Sequence, residues 1–357
     1  MKIIFAAGGT GGHIYPAIAV AKEILRRDEN STIKFVGTAR GLETKLVPQN
    51  GFELLTIESA GLKSVGLAGQ LKGLLILPKS FLQARKLLKE FKPDVVVGAG
   101  GYVTGPVLLM ASLLKIPTLV MDSNALPGFT NRQLARFVDK AALTFEESLK
   151  FFPNKGIVTG NPVRKEFFEV QPKARESKVN LLIFGGSQGA RAINLAMVEA
   201  LKHLPKDKLN IVHQTGELDF EKIESGYKEA DWAADIRRYI TDMVAEFAKA
   251  DLVICRAGAT TCAELAAAGK VGIMIPLPTA ADDHQRKNAE ALQNAGAAKM
   301  ILQADLTGES LAKEIESLIN APEKITEMER NAKKLAKADA AELAVNIIEK
   351  LAVSGKQ

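Results

Sequence analysis

A chain of 357 residues is longer than one hydrophobic core usually serves, and its 25% charged and 47% apolar content is that of an ordinary folded protein, which excludes a disordered chain or a membrane bundle. Its two cysteines, Cys255 and Cys262, form no disulfide framework and suit a reducing compartment. The net charge of +6 is uneven: residues 1–160 hold 20 Lys/Arg against 12 Asp/Glu, so the first half is expected to meet something anionic, a lipid surface or a phosphorylated substrate.

The apolar run Lys2 to Ala7 reads as a buried parallel strand, and the turn Gly8-Gly9-Thr10-Gly11-Gly12-His13 leads from it into an apolar-periodic helix. Exposed N–H groups and the positive dipole end of such a helix suit a phosphate. The turn fails the dinucleotide fingerprint, which needs glycine at Ile14, and no ATP-type phosphate loop occurs anywhere. His13, where the helix begins, fits either a general base near neutral pH or a side chain that only orients the turn. Further strands are expected at Ile33 to Gly37, Val95 to Gly98, Thr118 to Met121 and Ala141 to Phe145. Between Lys63 and Lys92 stand seven Lys/Arg and one acid, Glu90, interleaved with apolar residues. Lys72, Leu75, Leu77, Lys79 and Phe81, with Tyr102 in the loop Gly98 to Gly105, form the expected membrane-contacting patch, although core packing explains any single leucine. Met1 to Phe5 lacks the apolar stretch of a signal peptide and no run reaches the ~18 apolar residues of a spanning helix, so a cytoplasmic protein able to touch a membrane is expected.

A turn-rich stretch, Phe152 to Pro172, separates this block from a second alternating one, and the domain boundary is expected there: an N-terminal domain 1–160, a C-terminal domain 161–340 and a helix over 341–357 that can pack back on the first. The second block repeats the design. A strand ending at Phe184 runs into Gly185-Gly186-Ser187-Gln188-Gly189-Ala190, and the following helix carries Ile193, Met197 and Leu201 at spacing four. Strands follow at Asn210 to Gln214, Leu252 to Cys255 and Val271 to Ile275. The alternation predicts an α/β protein of two Rossmann-like domains, whose strand ends face a central cleft. After Cys255, Arg256 to Glu264 opens a helix that Gly269 can end; its small residues suit a diphosphate, and Glu264 offers acceptors for both hydroxyls of a ribose. Gln285 and Asn288 share a helical face and suit sugar hydroxyls. No Asp-x-Asp pair is present, so neither a metal nor a cofactor is expected, and dipoles would stabilise a leaving diphosphate. Nucleic acid is disfavoured as a partner, because aromatics are 6% and no stacking platform appears.

Together, Gly-Gly-Thr-Gly-Gly-His at 8–13, Gly-Gly-Tyr-Val-Thr-Gly at 100–105, Gly-Asn-Pro-Val-Arg at 160–164, Gly-Gly-Ser-Gln-Gly-Ala at 185–190, Arg-Ala-Gly-Ala-Thr-Thr-Cys-Ala-Glu at 256–264 and His-Gln at 284–285 resemble the MurG family. The resemblance implies a glycosyltransferase fold of the B type. It also implies metal-independent, inverting transfer of GlcNAc from UDP-GlcNAc to the C4 hydroxyl of the muramyl sugar of lipid I, peripherally on the cytoplasmic face of the bacterial membrane. It places Thr10, Gly11 and Gly12 in the substrate-contacting first turn and Asn124 near the GlcNAc. Arg164, Ser187, Ile240, Ala259, Thr260, Thr261, Cys262, Ala263, Glu264 and Gln285 match UDP-GlcNAc positions, Ile240 meeting uracil through its backbone and Glu264 the ribose. His13 ranks first as base. Many members read His-Glu-Gln-Asn where this chain reads Met121-Asp122-Ser123-Asn124, which leaves Asp122 second. A UDP-sugar transferase acting on diacylglycerol, a UDP-GlcNAc epimerase and a non-catalytic UDP-sugar-binding subunit are the alternatives.

Overall fold

The computed structural model describes residues 1–59, 67–171, 176–186, 188–280 and 283–355. The chain divides into two compact units, the first residues 1–163 with 337–357 and the second 164–336.

In the first unit, β1 (Lys2–Ala7), α1 (Gly11–Arg27), β2 (Thr32–Gly37), α2 (Glu43–Gln49), β3 (Glu53–Thr56), α3 (Leu67–Phe91) and β4 (Val95–Gly100) are followed by α4 (Thr104–Leu113), β5 (Thr118–Asp122), α5 (Phe129–Leu134), β6 (Lys140–Leu143) and β7 (Gly156–Val158). Among the described residues these strands form one parallel sheet in the order β3-β2-β1-β4-β5-β6-β7. Alternate residues serve opposite faces, which is why the strands read as unbroken apolar runs. Ile3, Phe5, Val95 and Val97 pack with Ile14 and Ile18 of α1, whereas Ile4, Val96 and Val120 pack with Leu88, Val107 and Leu108.

In the second unit, β8 (Val179–Phe184), α6 (Arg191–Ala200), β9 (Leu209–Gln214), α7 (Phe220–Glu229), β10 (Asp235–Arg237), α8 (Met243–Lys249) and β11 (Leu252–Cys255) precede α9 (Ala259–Ala268), β12 (Val271–Met274), α10 (His284–Asn294), β13 (Ala298–Met300), α11 (Gly308–Ile319) and α12 (Pro322–Leu335). Its parallel sheet runs β10-β9-β8-β11-β12-β13. Ile193, Met197 and Leu201 enter its core. Gly269 takes the left-handed conformation, φ +63, that ends α9.

The chain then returns to the first unit. The last helix, α13 (Ala340–Ser354), lays Ala344, Val345, Ile348 and Leu351 into the α1 side of that core, and the Arg27 guanidinium donates to Asn346 Oδ1 at 2.7 Å and Glu349 Oε2 at 3.0 Å. In both sheets the strand order reverses beside the first strand, between β1 and β4 and between β8 and β11. Carboxyl ends at such a reversal are where open α/β sheets take ligands, and the glycine turns and the 256–258 turn all leave from there.

Candidate active site

In the first unit the glycine turn is held by its own backbone and by one buried acid. The Gly8 N–H donates to Gly100 O at 3.3 Å, the Thr10 N–H to Gly8 O at 3.3 Å, and the Gly9 N–H to Glu43 Oε2 at 2.9 Å. The Gly11 and Gly12 N–H groups, in the first turn of α1, have no partner among the described residues. His13 Nδ1 lies 3.1 Å from Gly8 O. A carbonyl only accepts, so Nδ1 carries the proton, and in the neutral ring Nε2 keeps the lone pair. Gly100, at φ +114, leaves the room the imidazole occupies, because a Cβ there would overlap the ring. Thr104 is buried and accepts from the Gly100 N–H at 3.1 Å while donating to Ala6 O at 3.0 Å, which ties the second glycine loop to β1.

The structure corrects the reading of Asp122 as a second candidate base. Its side chain is buried and both oxygens are engaged: Oδ1 accepts from the Asn124 N–H at 3.0 Å, and Oδ2 accepts from the Gly128 N–H at 3.0 Å and Asn131 Nδ2 at 2.8 Å. Burial pushes the carboxyl up, while these donors and the nearby His13 pull the other way. Burial outweighs them and leaves the carboxyl above its ordinary value, and Asp122 shapes the 123–128 loop through these bonds. Asn124, on that loop, is partly exposed, its carbonyl accepting from Ser148 Oγ at 3.0 Å.

In the second unit, Gly189 (φ +76) and Gly216 (φ +79) pack backbone to backbone, the loop after β9 seated on the second glycine turn, with no space for a Cβ on either. Gln214, buried at the end of β9, bridges two parts of this site: Nε2 donates to Gly186 O at 3.0 Å, and Oε1 accepts the Ile240 N–H at 2.7 Å. The backbone of Ile240 thus has its N–H spent inside the protein, which narrows the expected reading of uracil to the carbonyl. Ser187 lies outside the described residues.

Beneath the turn, the buried His213 lies between Tyr227 OH at 3.1 Å from Nδ1 and Asn194 Oδ1 at 3.1 Å from Nε2. Asn194 Nδ2 donates to Thr215 O at 2.9 Å and Asp219 Oδ2 at 3.0 Å, so its oxygen is the acceptor and the His213 proton sits on Nε2. Burial alone lowers the His213 pKa to about 3, so the ring is a neutral link between α6 and α7. The sequence marked His213 only as a strand residue.

The Ala259, Thr260 and Thr261 N–H groups open α9 at the strand reversal, after Gly258 as N-cap. Ala263 and Glu264 are partly exposed one turn further in. Cys262 is a correction: its side chain is buried, burial pushes the thiol up to about 12, and its N–H is bound to Gly258 O at 2.9 Å, so nothing of it faces a ligand. Desolvation pushes the Glu264 carboxyl up to about 7, with the Arg164 charge acting against it. Arg164 is exposed, its guanidinium 4.9 Å from the Phe167 ring centroid. Asn288 is a second correction. It is wholly buried and its Nδ2 donates to Ala257 O at 3.2 Å, bracing the 256–258 turn, where an open amide beside Gln285 is expected. Gln285 is partly exposed and accepts the Leu277 N–H at 3.0 Å through Oε1. Arg256 braces the same region through Ile275 O at 3.1 Å and Gln303 Oε1 at 2.7 Å.

On the expected membrane patch, Tyr102 is 55% exposed, while Leu77 and Phe81 are half-buried. The side chains of Lys72 and Leu75 lie outside the described residues. Lys79 pairs with Glu58 at 2.6 Å, so an acid from before the stretch offsets part of the basic excess. Leu82, Arg85, Lys86 and Lys89 form the exposed face of α3, opposite the buried Ala84 and Leu88. Among the described residues no helix is long and apolar enough to cross a membrane.

Two α/β units, each with a glycine turn at its strand reversal, define a glycosyltransferase of the B-type fold, and the comparisons agree. The glycosyltransferase family 28 N-terminal domain matches residues 3–143 and the family 28 C-terminal domain matches residues 180–344. The UDP-N-acetylglucosamine–N-acetylmuramyl-(pentapeptide) pyrophosphoryl-undecaprenol N-acetylglucosamine transferase of Anaeromyxobacter sp. (strain K) is 48% identical over 346 residues, covering 96% of this chain and 90% of the relative. The enzyme of that name from Geotalea uraniireducens is 46% identical, covering 97% of each. The crystal structure of Acinetobacter baumannii MurG superposes with a TM-score of 0.80 at 35% identity, over 98% of this chain and 99% of that one. The chain belongs to the MurG family of glycosyltransferases.

Proposed function

We propose that this protein transfers GlcNAc from UDP-GlcNAc to the C4 hydroxyl of MurNAc in undecaprenyl-pyrophosphoryl-MurNAc-pentapeptide (lipid I), with inversion, giving lipid II and UDP. The observation that carries this reading is the near-full-length identity of 48% to a relative of that name, with the glycine turns at both strand reversals. UDP-GlcNAc belongs to the second unit. Its diphosphate meets the Ala259 to Thr261 N–H groups, where the α9 dipole favours negative charge and stabilises the departing UDP. Glu264 in its ionised form accepts both ribose hydroxyls, and uracil donates its N3–H to Ile240 O. Arg164, Gln285 and Ala263 complete the contacts with the donor, and Ser187 is assigned there on the resemblance.

The acceptor pyrophosphate belongs to the first turn, at Gly11 and Gly12 beside Thr10, with Asn124 near the transferred sugar. His13 Nε2 takes the proton of the C4 hydroxyl as its oxygen attacks the anomeric carbon and UDP departs. A lipid-borne acceptor requires a membrane surface, and the Leu82, Arg85, Lys86 and Lys89 face of α3 with Tyr102 suits peripheral contact with anionic lipids on the cytoplasmic side. The test is UDP release by the purified chain given lipid I, diacylglycerol or no acceptor. Release that depends on lipid I, with a product heavier by one GlcNAc, is expected. Release with diacylglycerol alone, or epimerised UDP-sugar without acceptor, overturns the reading.

A further inference from the structure

Glu43 is an acid at the start of a short helix, 30 residues from His13, yet it is completely buried at the ends of β1 and β2. Three donors converge on it. Oε1 accepts from the Thr38 N–H and the Thr38 hydroxyl, each at 2.8 Å, and Oε2 accepts from the Gly9 N–H at 2.9 Å. Three glycines make its room: a Cβ on Gly8, Gly37 or Gly41 would fall inside the van der Waals shell of the Glu43 side chain. Burial pushes the carboxyl up, but the Thr38 and Gly9 donors outweigh it and hold the group below its ordinary value, so it is an anion near neutral pH. Gly9 itself stands at φ +87, and a Cβ built on it would meet nothing within 4 Å, so nothing packs on that side of it. The grip of Glu43 is the one side-chain hydrogen bond to the Gly8–Gly12 backbone other than that of His13 among the described residues.

We infer that Glu43 is a positioning residue for the reaction: it fixes the Gly9 peptide so that the Gly11 and Gly12 N–H groups and His13 present one geometry to the acceptor. This rests on the reading that the first turn takes the acceptor pyrophosphate. By occupying the Gly9 N–H, the carboxylate also removes that donor from competition, which restricts an incoming anion to the two N–H groups further along.

The chemistry supplies a discriminating variant. Glu43→Gln keeps volume and shape, and its oxygen can keep both Thr38 donors, but its NH2 then faces the Gly9 N–H, donor against donor. Two readouts on the full chain test the proposal: hydrogen exchange of the peptide spanning residues 8–13, and kinetics varying a soluble lipid I analogue and UDP-GlcNAc separately. In Glu43→Gln, exchange across 8–13 is expected to quicken at least tenfold, and kcat/KM for the acceptor to fall about tenfold or more, with KM for UDP-GlcNAc within twofold of wild type. Thr38→Val, which removes one donor on the far side and leaves Gly9 gripped, is expected to retain most acceptor kcat/KM, so a loss from mere unfolding is separable. Unchanged exchange and acceptor kinetics in Glu43→Gln overturn the proposal. Quickened exchange with a change confined to UDP-GlcNAc shows that Glu43 grips the turn but that the turn is not the acceptor's, which overturns the underlying reading instead.

Discussion

Replacing Glu264 by glutamine should stabilise the second unit and weaken its hold on the donor at once. Desolvation holds this carboxyl at about 7, against an ordinary value of 4.5. Between those pH values the folded protein keeps a proton that the unfolded chain has lost, so this group costs stability as pH rises through the window, and the cost is complete above pH 7. A shift of that size corresponds to at most about 3 kcal/mol at pH 8 and to almost nothing near pH 4. The neutral amide of Glu264→Gln has no charge to desolvate and escapes the cost. The assay is urea unfolding followed by the fluorescence of Trp232, the sole tryptophan, which is buried in the core of the same unit. The variant is expected to equal wild type near pH 4 and to exceed it by about 1–3 kcal/mol at pH 8. Titration with UDP-GlcNAc should show the opposite: wild-type affinity falling up to about tenfold per pH unit below 7, and the variant weak and flat in pH. A variant destabilised equally at both pH values, or wild-type affinity that does not move between pH 6 and 8, refutes the argument.

His13→Ala should lower kcat by about 10²- to 10⁴-fold while UDP-GlcNAc affinity, read by calorimetry, stays within a factor of two. Gln214→Leu strands the buried Ile240 N–H at about 1–3 kcal/mol and releases the exposed Gly186 from β9, and should raise Kd for UDP-GlcNAc tenfold or more with acceptor KM unchanged. Reversing Arg85, Lys86 and Lys89 to Glu should abolish sedimentation with anionic vesicles, and raising salt should weaken the wild type in the same assay, because exposed charges are screened.

Nine of the thirteen strands among the described residues are legible in the sequence, and all nine are interior to their sheets. The four that are not, β3, β7, β10 and β13, are the four edges. Each is three or four residues long and none of their residues but Ala298 is buried, so none makes the continuous apolar run that marks a strand covered on both faces. The turns that approach ligand are equally legible, since tight backbone there demands glycine. The side chains that hold those turns are not. Glu43 carries no mark in the sequence, and Gln214 and His213 read as strand residues, because partners 14 to 34 positions apart meet only once the strands are aligned. Asn288 fails for the converse reason: helical spacing marks a face without saying whether that face meets ligand or core, and the motif match that carried Cys262 does not tell the buried side of α9 from the open one.

The most direct test of the donor assignment is a crystal structure of this chain with UDP-GlcNAc. It should show the diphosphate on the Ala259 to Thr261 N–H groups, both ribose hydroxyls on Glu264 and uracil N3–H on Ile240 O. A uridine seated at Gly8 to His13 in the first unit would contradict the account.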